Sequence, residues 1–347
     1  MPNIPLALVP GHIGTKSAEQ LKRDVLETTA QHVIENLTVQ PAHRLTSGKT
    51  NEPAARDIIC KGTFAEINQY FIDNELSDGL PIVPPTQDAV EAFLKFTDRD
   101  PNEVLGVLLP DSRAATIWSV AVNGVMAGCR PEYMPVLIAA VEGMCDPKYG
   151  VEHSGNTPGG DTLLIINGPI IKQLGFNYTQ GVLRDGFQAN TSIGRFWRLY
   201  LRNVAGFLPH KTDKATFGNT WRVVLAENDD VLKQIGWPNT AEEMGHAFGD
   251  STVTIARYTG GGSFSSVSGD TPETLLPYVA DSVLKYHMWQ LTFTTSHGVG
   301  TLRPLVVITP ILAETIAKAG WSKADVDRKS TRLNSSHVSE SRMPSSA

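Results

Sequence analysis

Small and apolar positions recur every third or fourth residue through the stretch AVNGVMAGCRPEYMPVLIAAVEGM, residues 121–144. Ala121, Gly124, Val125 and Gly128 fall on one helix face, where a second backbone can approach closely. Pro131 suits the first position of a second helix, because its missing N–H would be unpaired there anyway. Leu137, Ile138, Val141 and Met144 then form that helix's apolar face. The spacing predicts two helices meeting at a corner that holds Cys129 and Arg130.

Similar reading extends in both directions. Pro5 to Pro10 (PLALVP) predicts a short strand, and Lys16 to Leu37 a long amphipathic helix. That pair looks like the last βα unit of an α/β domain, because a lone strand and helix cannot bury a core. Residues 41–62 are polar and aperiodic, as a linker would be. Phe64, Ile67, Tyr70 and Phe71 are in helical phase. The turn formers of SDGLPIVPPT, residues 77–86, forbid a central strand or helix, and Thr86 caps a helix from Asp88 to Phe96. Strands are predicted at Val104–Leu109, Thr162–Asn167, Arg222–Glu227, Thr252–Tyr258 and Arg303–Thr309. A turn-rich loop spans Tyr149 to Asp161.

A further helix is capped by Asn190, Thr191 or Ser192. Ile193, Trp197, Tyr200 and Val204 form its apolar face, and Arg195, Arg198 and Arg202 a basic one. The last helices run over Leu275–Phe293, Pro310–Ala319 and onward from Gly320 with Ser322 as cap. Strands and helices alternate with no strict βαβ rhythm. The expected fold is α+β (irregular α/β), a mixed-sheet core with helices packed on it. The expected organisation is a βα remnant at 1–40, a linker at 41–62, a main domain at 63–328 and a non-native tail at 329–347. That tail, KSTRLNSSHVSESRMPSSA, is Ser-rich and resembles translated adapter or vector sequence.

Composition narrows the class. The chain has 347 residues, 41% hydrophobic and 19% charged, as an ordinary globular protein does. The net charge of −6 gives no electrostatic footprint for nucleic acid. No run of about 20 apolar residues predicts a membrane span, and no basic, apolar leader is visible. The three cysteines, Cys60, Cys129 and Cys145, form no CxxC spacing, so a disulfide framework is not expected and a reducing cytoplasm is. GHIGTKS, residues 11–17, misses the phosphate-loop spacing because Thr15 separates glycine from lysine.

The candidate chemistry centres on Cys129. Free N–H groups at a helix start favour an anion and Arg130 adds positive charge, so this thiol is a candidate low-pKa nucleophile; burial in the small-residue corner opposes both. Asp78 on the proline-stiffened loop, Glu132, His153 and Asn167 are candidate wall residues, and Arg130 and Arg195 candidate anion holders. No cofactor motif is present.

Several long segments, in order, are similar to one family: SDGLPIVPPT, DPNEVLGVLLP, AVNGVMAGCRPEYMPVLIAAVE, LLIINGPI, NTSIGRFWRLYLRNVAG and AKAGWSKADV. They resemble the large C-terminal domain of UGSC-motif proteins, bacterial selenoproteins and their cysteine counterparts, over most of Thr63–Val326. The resemblance implies thiol or selenol redox chemistry, in which a low-pKa nucleophile attacks and a nearby Cys resolves. The Sec/Cys-Gly-Ser-Cys motif that names the family is absent from this sequence, so on that reading the redox centre lies upstream of Met1. Residues 63–328 would then supply the substrate pocket for a small anionic substrate. Two other classes stay open: a non-catalytic binding or assembly module for a catalytic partner, and a hydrolase with Cys129 as nucleophile and His153 as base. The expected partners are a small-molecule substrate and, as an open alternative, further copies of the chain in a homo-oligomer.

Overall fold

The computed structural model describes residues 7–11, 15–38, 53–157, 159–219, 222–258, 267–287 and 305–329. The chain divides into two compact units, Met1–Ile59 and Cys60–Ala347. The tail 330–347, most of the 38–52 stretch and the glycine-rich 259–266 segment lie outside the described residues.

In the first unit, Ser17 and Gln20 make a reciprocal capping box that starts α1 (Ala18–Asp24). The helix widens over Val25–Thr29 and continues as α2 (Ala30–Thr38). Of the strand expected at Pro5–Pro10, Pro5 and Leu6 lie outside the described residues, and residues 7–10 form no strand.

In the second unit, Thr63 caps α3 (Phe64–Asp73) and Thr86 caps α4 (Gln87–Leu94). A hairpin follows, β1 (Val104–Leu108) paired antiparallel with β2 (Arg113–Thr116). Thr116 and Ser119 then start α5 (Ile117–Ala127) with a capping box. The corner after α5 is a Schellman motif: left-handed Gly128 donates to the Val125 carbonyl and Cys129 to that of Gly124. A turn at Pro131–Tyr133 leads into α6 (Met134–Cys145). At Gly124 the small-residue stripe is filled by side chains and not by a second backbone: a Cβ there would lie 2.7 Å from a Leu137 methyl of α6 and 2.8 Å from the Phe93 ring.

The second sheet runs in the order β4-β3-β5. Its centre is β3 (Asp161–Asn167), every residue of which is buried. β4 (Leu225–Ala226) joins it parallel and β5 (Thr252–Tyr258) antiparallel, from Asp161↔Tyr258 to Asn167↔Thr252. The sheet is mixed and helices pack on it, an α+β fold. Between β3 and β4 come α7 (Ile170–Leu174) and α8 (Gln188–Tyr200), which widens into a π turn over Leu201–Ala205. Ile193, Trp197, Tyr200 and Val204 are buried, as their phase predicts. After β4 come α9 (Asp229–Ile235) and α10 (Thr240–Glu243). After β5, α11 (Pro272–His287) and α12 (Pro310–Lys318) join α9 in a smaller apolar cluster.

Two expected strands are corrected. Only Leu225–Ala226 of the 222–227 segment pairs, since the residues before it are clamped to α8 instead. Residues 305–309 form no strand; Leu305, Val306 and Val307 are exposed, because β-branched character alone cannot hold a strand without a ladder. Among the described residues, no helix is long and apolar enough to cross a membrane.

Candidate functional site

The proline-stiffened loop after α3 is clamped along its length. Ser77 Oγ donates to the Leu80 carbonyl at 2.7 Å, the Ile82 amide to Asn68 Oδ1 at 2.6 Å and the Val83 amide to the Met126 carbonyl at 3.3 Å. Three prolines, Pro81, Pro84 and Pro85, and a buried Ile82 fix what those bonds leave free. Asp78 is thereby held against α8, where Arg195 meets it in a fork: Nε donates to Oδ2 at 3.0 Å and Nη2 to Oδ1 at 2.8 Å. Arg195 Nη2 also donates to the Pro81 carbonyl at 3.0 Å. The side chains are 17% and 11% exposed, so the pair is shielded from most of the solvent. Burial alone would raise the Asp78 carboxyl, but the Arg195 hydrogen bonds and charge, helped by the Leu80 amide and Arg222, hold it below the usual carboxylate range.

Arg222 is the second guanidinium on this carboxylate, with Nη1 4.0 Å from Asp78 Oδ2. Its position follows from α8. The helix begins two residues before Asn190, so Asn190 is not the cap that its residue type suggests. It is buried, and its side chain receives the Asn177 amide at 2.8 Å and donates to the Asn177 carbonyl at 3.0 Å and the Val224 carbonyl at 3.1 Å. The Val224 amide returns to the Asn190 carbonyl at 3.0 Å. One turn on, Gly194 lets the same segment lie against the helix: a Cβ there would sit 2.5 Å from the Val223 nitrogen and 2.6 Å from the Arg222 carbonyl carbon.

Cys129 adjoins this cluster, in contact with the Ser192 hydroxyl and within the field of Arg195. The low-pKa reading of the thiol is corrected. Burial pushes it up to about 12, against the smaller opposing effects of Ser192 and Arg195. The helix-start argument fails locally because the Cys129 amide is spent on the Gly124 carbonyl and Pro131 has no N–H to offer.

The other sequence candidates stand elsewhere. Arg130 is exposed, donating to the Leu174 carbonyl at 3.0 Å with its guanidinium 4.9 Å above the Tyr133 ring. Glu132 is exposed on the turn before α6. His153 is exposed on the Val151–His153 turn, 3.8 Å from Glu152. Asn167 is buried at the end of β3, where its amide donates to Glu227 at 2.7 Å and Asp229 at 2.9 Å. Those carboxylates also take the Thr240 amide and the Gly168 amide, so this network ties β3 to α9 and α10. The basic stripe of α8 is neither a solvated face nor a free anion site. Arg198 meets Asp161 at 3.2 Å and Arg202 donates to the Glu75 carbonyl at 3.2 Å.

The structure therefore joins Asp78, Cys129 and Arg195 of the sequence candidates and adds Ser192 and Arg222. Arg222 carried no sequence signal, because nothing in its neighbourhood marks which helix it will face. Asn190 and Gly194 did carry one, as an Asn and a Gly within a strong helical pattern. One carboxylate facing two guanidiniums leaves a local charge of +1, and the neighbouring thiol is neutral. Among the described residues no group of His, Cys, Asp and Glu is arranged to hold a metal ion. No family model matches this chain, and no characterised protein or solved structure matches it.

Proposed function

We propose that residues 60–329 hold a small anionic substrate for a thiol or selenol redox centre carried outside this domain. The observation that carries the reading is convergence. Loop 77–86, the 128–130 corner, α8 and the 222–224 segment are far apart in sequence, yet meet at Asp78, Arg195, Cys129 and Arg222 with a surplus positive charge. A neutral, buried Cys129 is a poor nucleophile, so bond-making is assigned to a group elsewhere. The resemblance to UGSC-motif proteins read from sequence segments over most of residues 63–326 is the ground for taking thiol or selenol chemistry as the class of that group; no family match bears on it.

A second reading, a docking module for a protein partner, is favoured by one observation. Leu80 and Val83, on the loop that carries Asp78, are 48% and 47% exposed, and Phe187, at the start of α8, is 45% exposed. Both readings assign Cys129 a packing role, whereas cysteine-dependent hydrolysis requires it to react. The test is turnover by the purified chain, with Cys129→Ser alongside. Reduction of a small disulfide by dithiothreitol and hydrolysis of p-nitrophenyl acetate should proceed at the uncatalysed rate with either protein. Turnover that disappears in Cys129→Ser would sink the proposal.

A further inference from the structure

We infer that Arg222 takes the anionic end of the ligand, and that the ligand is a carboxylate or phosphate carried on an apolar body. The inference rests on the substrate-holding reading above and deepens it. Three arginines were available to the sequence or the structure for this role, and two are already committed. Arg195 spends its fork on Asp78 and on the Pro81 carbonyl. Arg130 is turned to the Leu174 carbonyl and the Tyr133 ring. Arg222 has only the 4.0 Å approach to a carboxylate already bonded twice by Arg195, and its side chain is 50% exposed. Among the described residues it donates no hydrogen bond. Its guanidinium therefore offers a planar donor fork, the geometry that pairs with a carboxylate or phosphate through two parallel hydrogen bonds.

The side chain is held in place from both ends. Its backbone is fixed to α8 by the Asn190–Val224 exchange and the close approach at Gly194. Its head is attracted by Asp78, which Arg195 locks in place. An anion reaching Arg222 meets a net positive cluster, because Asp78 is shared between the two guanidiniums.

The apolar half of the ligand follows from what surrounds the cluster. Arg195 binds the Leu80 and Pro81 carbonyls, which sets the exposed Leu80 beside it. Val83 borders Gly128, where a Cβ would lie 3.9 Å from its methyl, and Gln188 Nε2 donates to the Gly128 carbonyl at 3.2 Å. The residue before Gln188, Phe187, is also exposed.

The probe is benzoate, a carboxylate on an apolar ring, with benzyl alcohol as its uncharged match. Binding is followed by backbone-amide NMR on the full chain. Benzoate should perturb residues 78–83, 187–195 and 222 saturably, and benzyl alcohol should bind ~10-fold or more weakly, the loss expected for a charge-assisted pair. Arg222→Gln should remove that preference and Arg222→Lys should keep part of it, with unchanged melting of both variants showing that the fold is intact. No saturable benzoate perturbation in the wild type, equal affinity for the alcohol, or an unaltered preference in Arg222→Gln would each overturn the assignment. These outcomes are separate from the failure of the substrate-holding reading, which shows itself as Cys129-dependent turnover whatever Arg222 binds.

Discussion

The Cys129 thiol offers the sharpest quantitative test. An ordinary thiol ionises near 9, and burial pushes Cys129 up to about 12. At pH 9 half of an ordinary thiol population is ionised but only ~1 in 1,000 of Cys129, a ratio that follows from three decades between the two pKa values. Alkylation runs through the thiolate, so iodoacetamide at pH 9 should label Cys129 ~500-fold more slowly than free cysteine. The remaining labelling should track global unfolding.

The same burial predicts a stability slope of defined sign. A folded-state pKa above the unfolded one favours the neutral thiol, so its contribution is complete below pH 9 and is lost as pH rises toward 12. Within that window each pH unit costs about 1.4 kcal/mol. Cys145, pushed up to about 11 by burial, adds a slope of the same sign that ends earlier. Urea unfolding of the wild type and Cys129→Ser at successive pH values separates the two, because only the Cys129 share should vanish in the variant. Peptide-resolved alkylation supplies the independent reading. Native-state labelling of Cys129 at the rate of free cysteine would show that the desolvation argument is wrong.

Asp78→Ala should destabilise the second unit by about 3 kcal/mol in urea, because Arg195 would be left largely buried without its partner. Since Asp78 is held below the usual carboxylate range, its contribution is present above about pH 4 and fades as pH falls through its lowered folded value; Asp78→Asn should remove that part of the acid transition. Gly194→Ala should cost about 1–3 kcal/mol by forcing a methyl onto the Arg222–Val223 backbone, and should weaken benzoate binding along with stability.

Much of this fold is legible in local sequence. The phase of small and apolar residues gives α5 and α6, and the Thr86 cap is where side-chain chemistry asks for it. β3 and β5 declare themselves because a buried central strand is apolar on both faces and its neighbour is rich in β-branched residues. Residues 305–309 of the strand expected at 303–309 show the limit of this reading, since they pair with no strand among the described residues and propensity alone does not make a ladder.

The site divides the same way. Asp78, Cys129 and Arg195 could be singled out by residue type and setting, but their mutual state could not. Whether Arg195 is a free anion holder or a locked one depends on a carboxylate 117 positions away. Whether Cys129 is thiolate or thiol depends on how many atoms exclude water from it, which is a property of packing. Arg222 has no local signature at all; its role arises from Asn190 and Gly194 drawing its backbone onto α8. Local sequence thus determined the helices, caps and central strands through short-range sterics and hydrogen bonding. Tertiary structure decided charge pairing and protonation, because electrostatics and desolvation are set by neighbours that only the folded chain brings together.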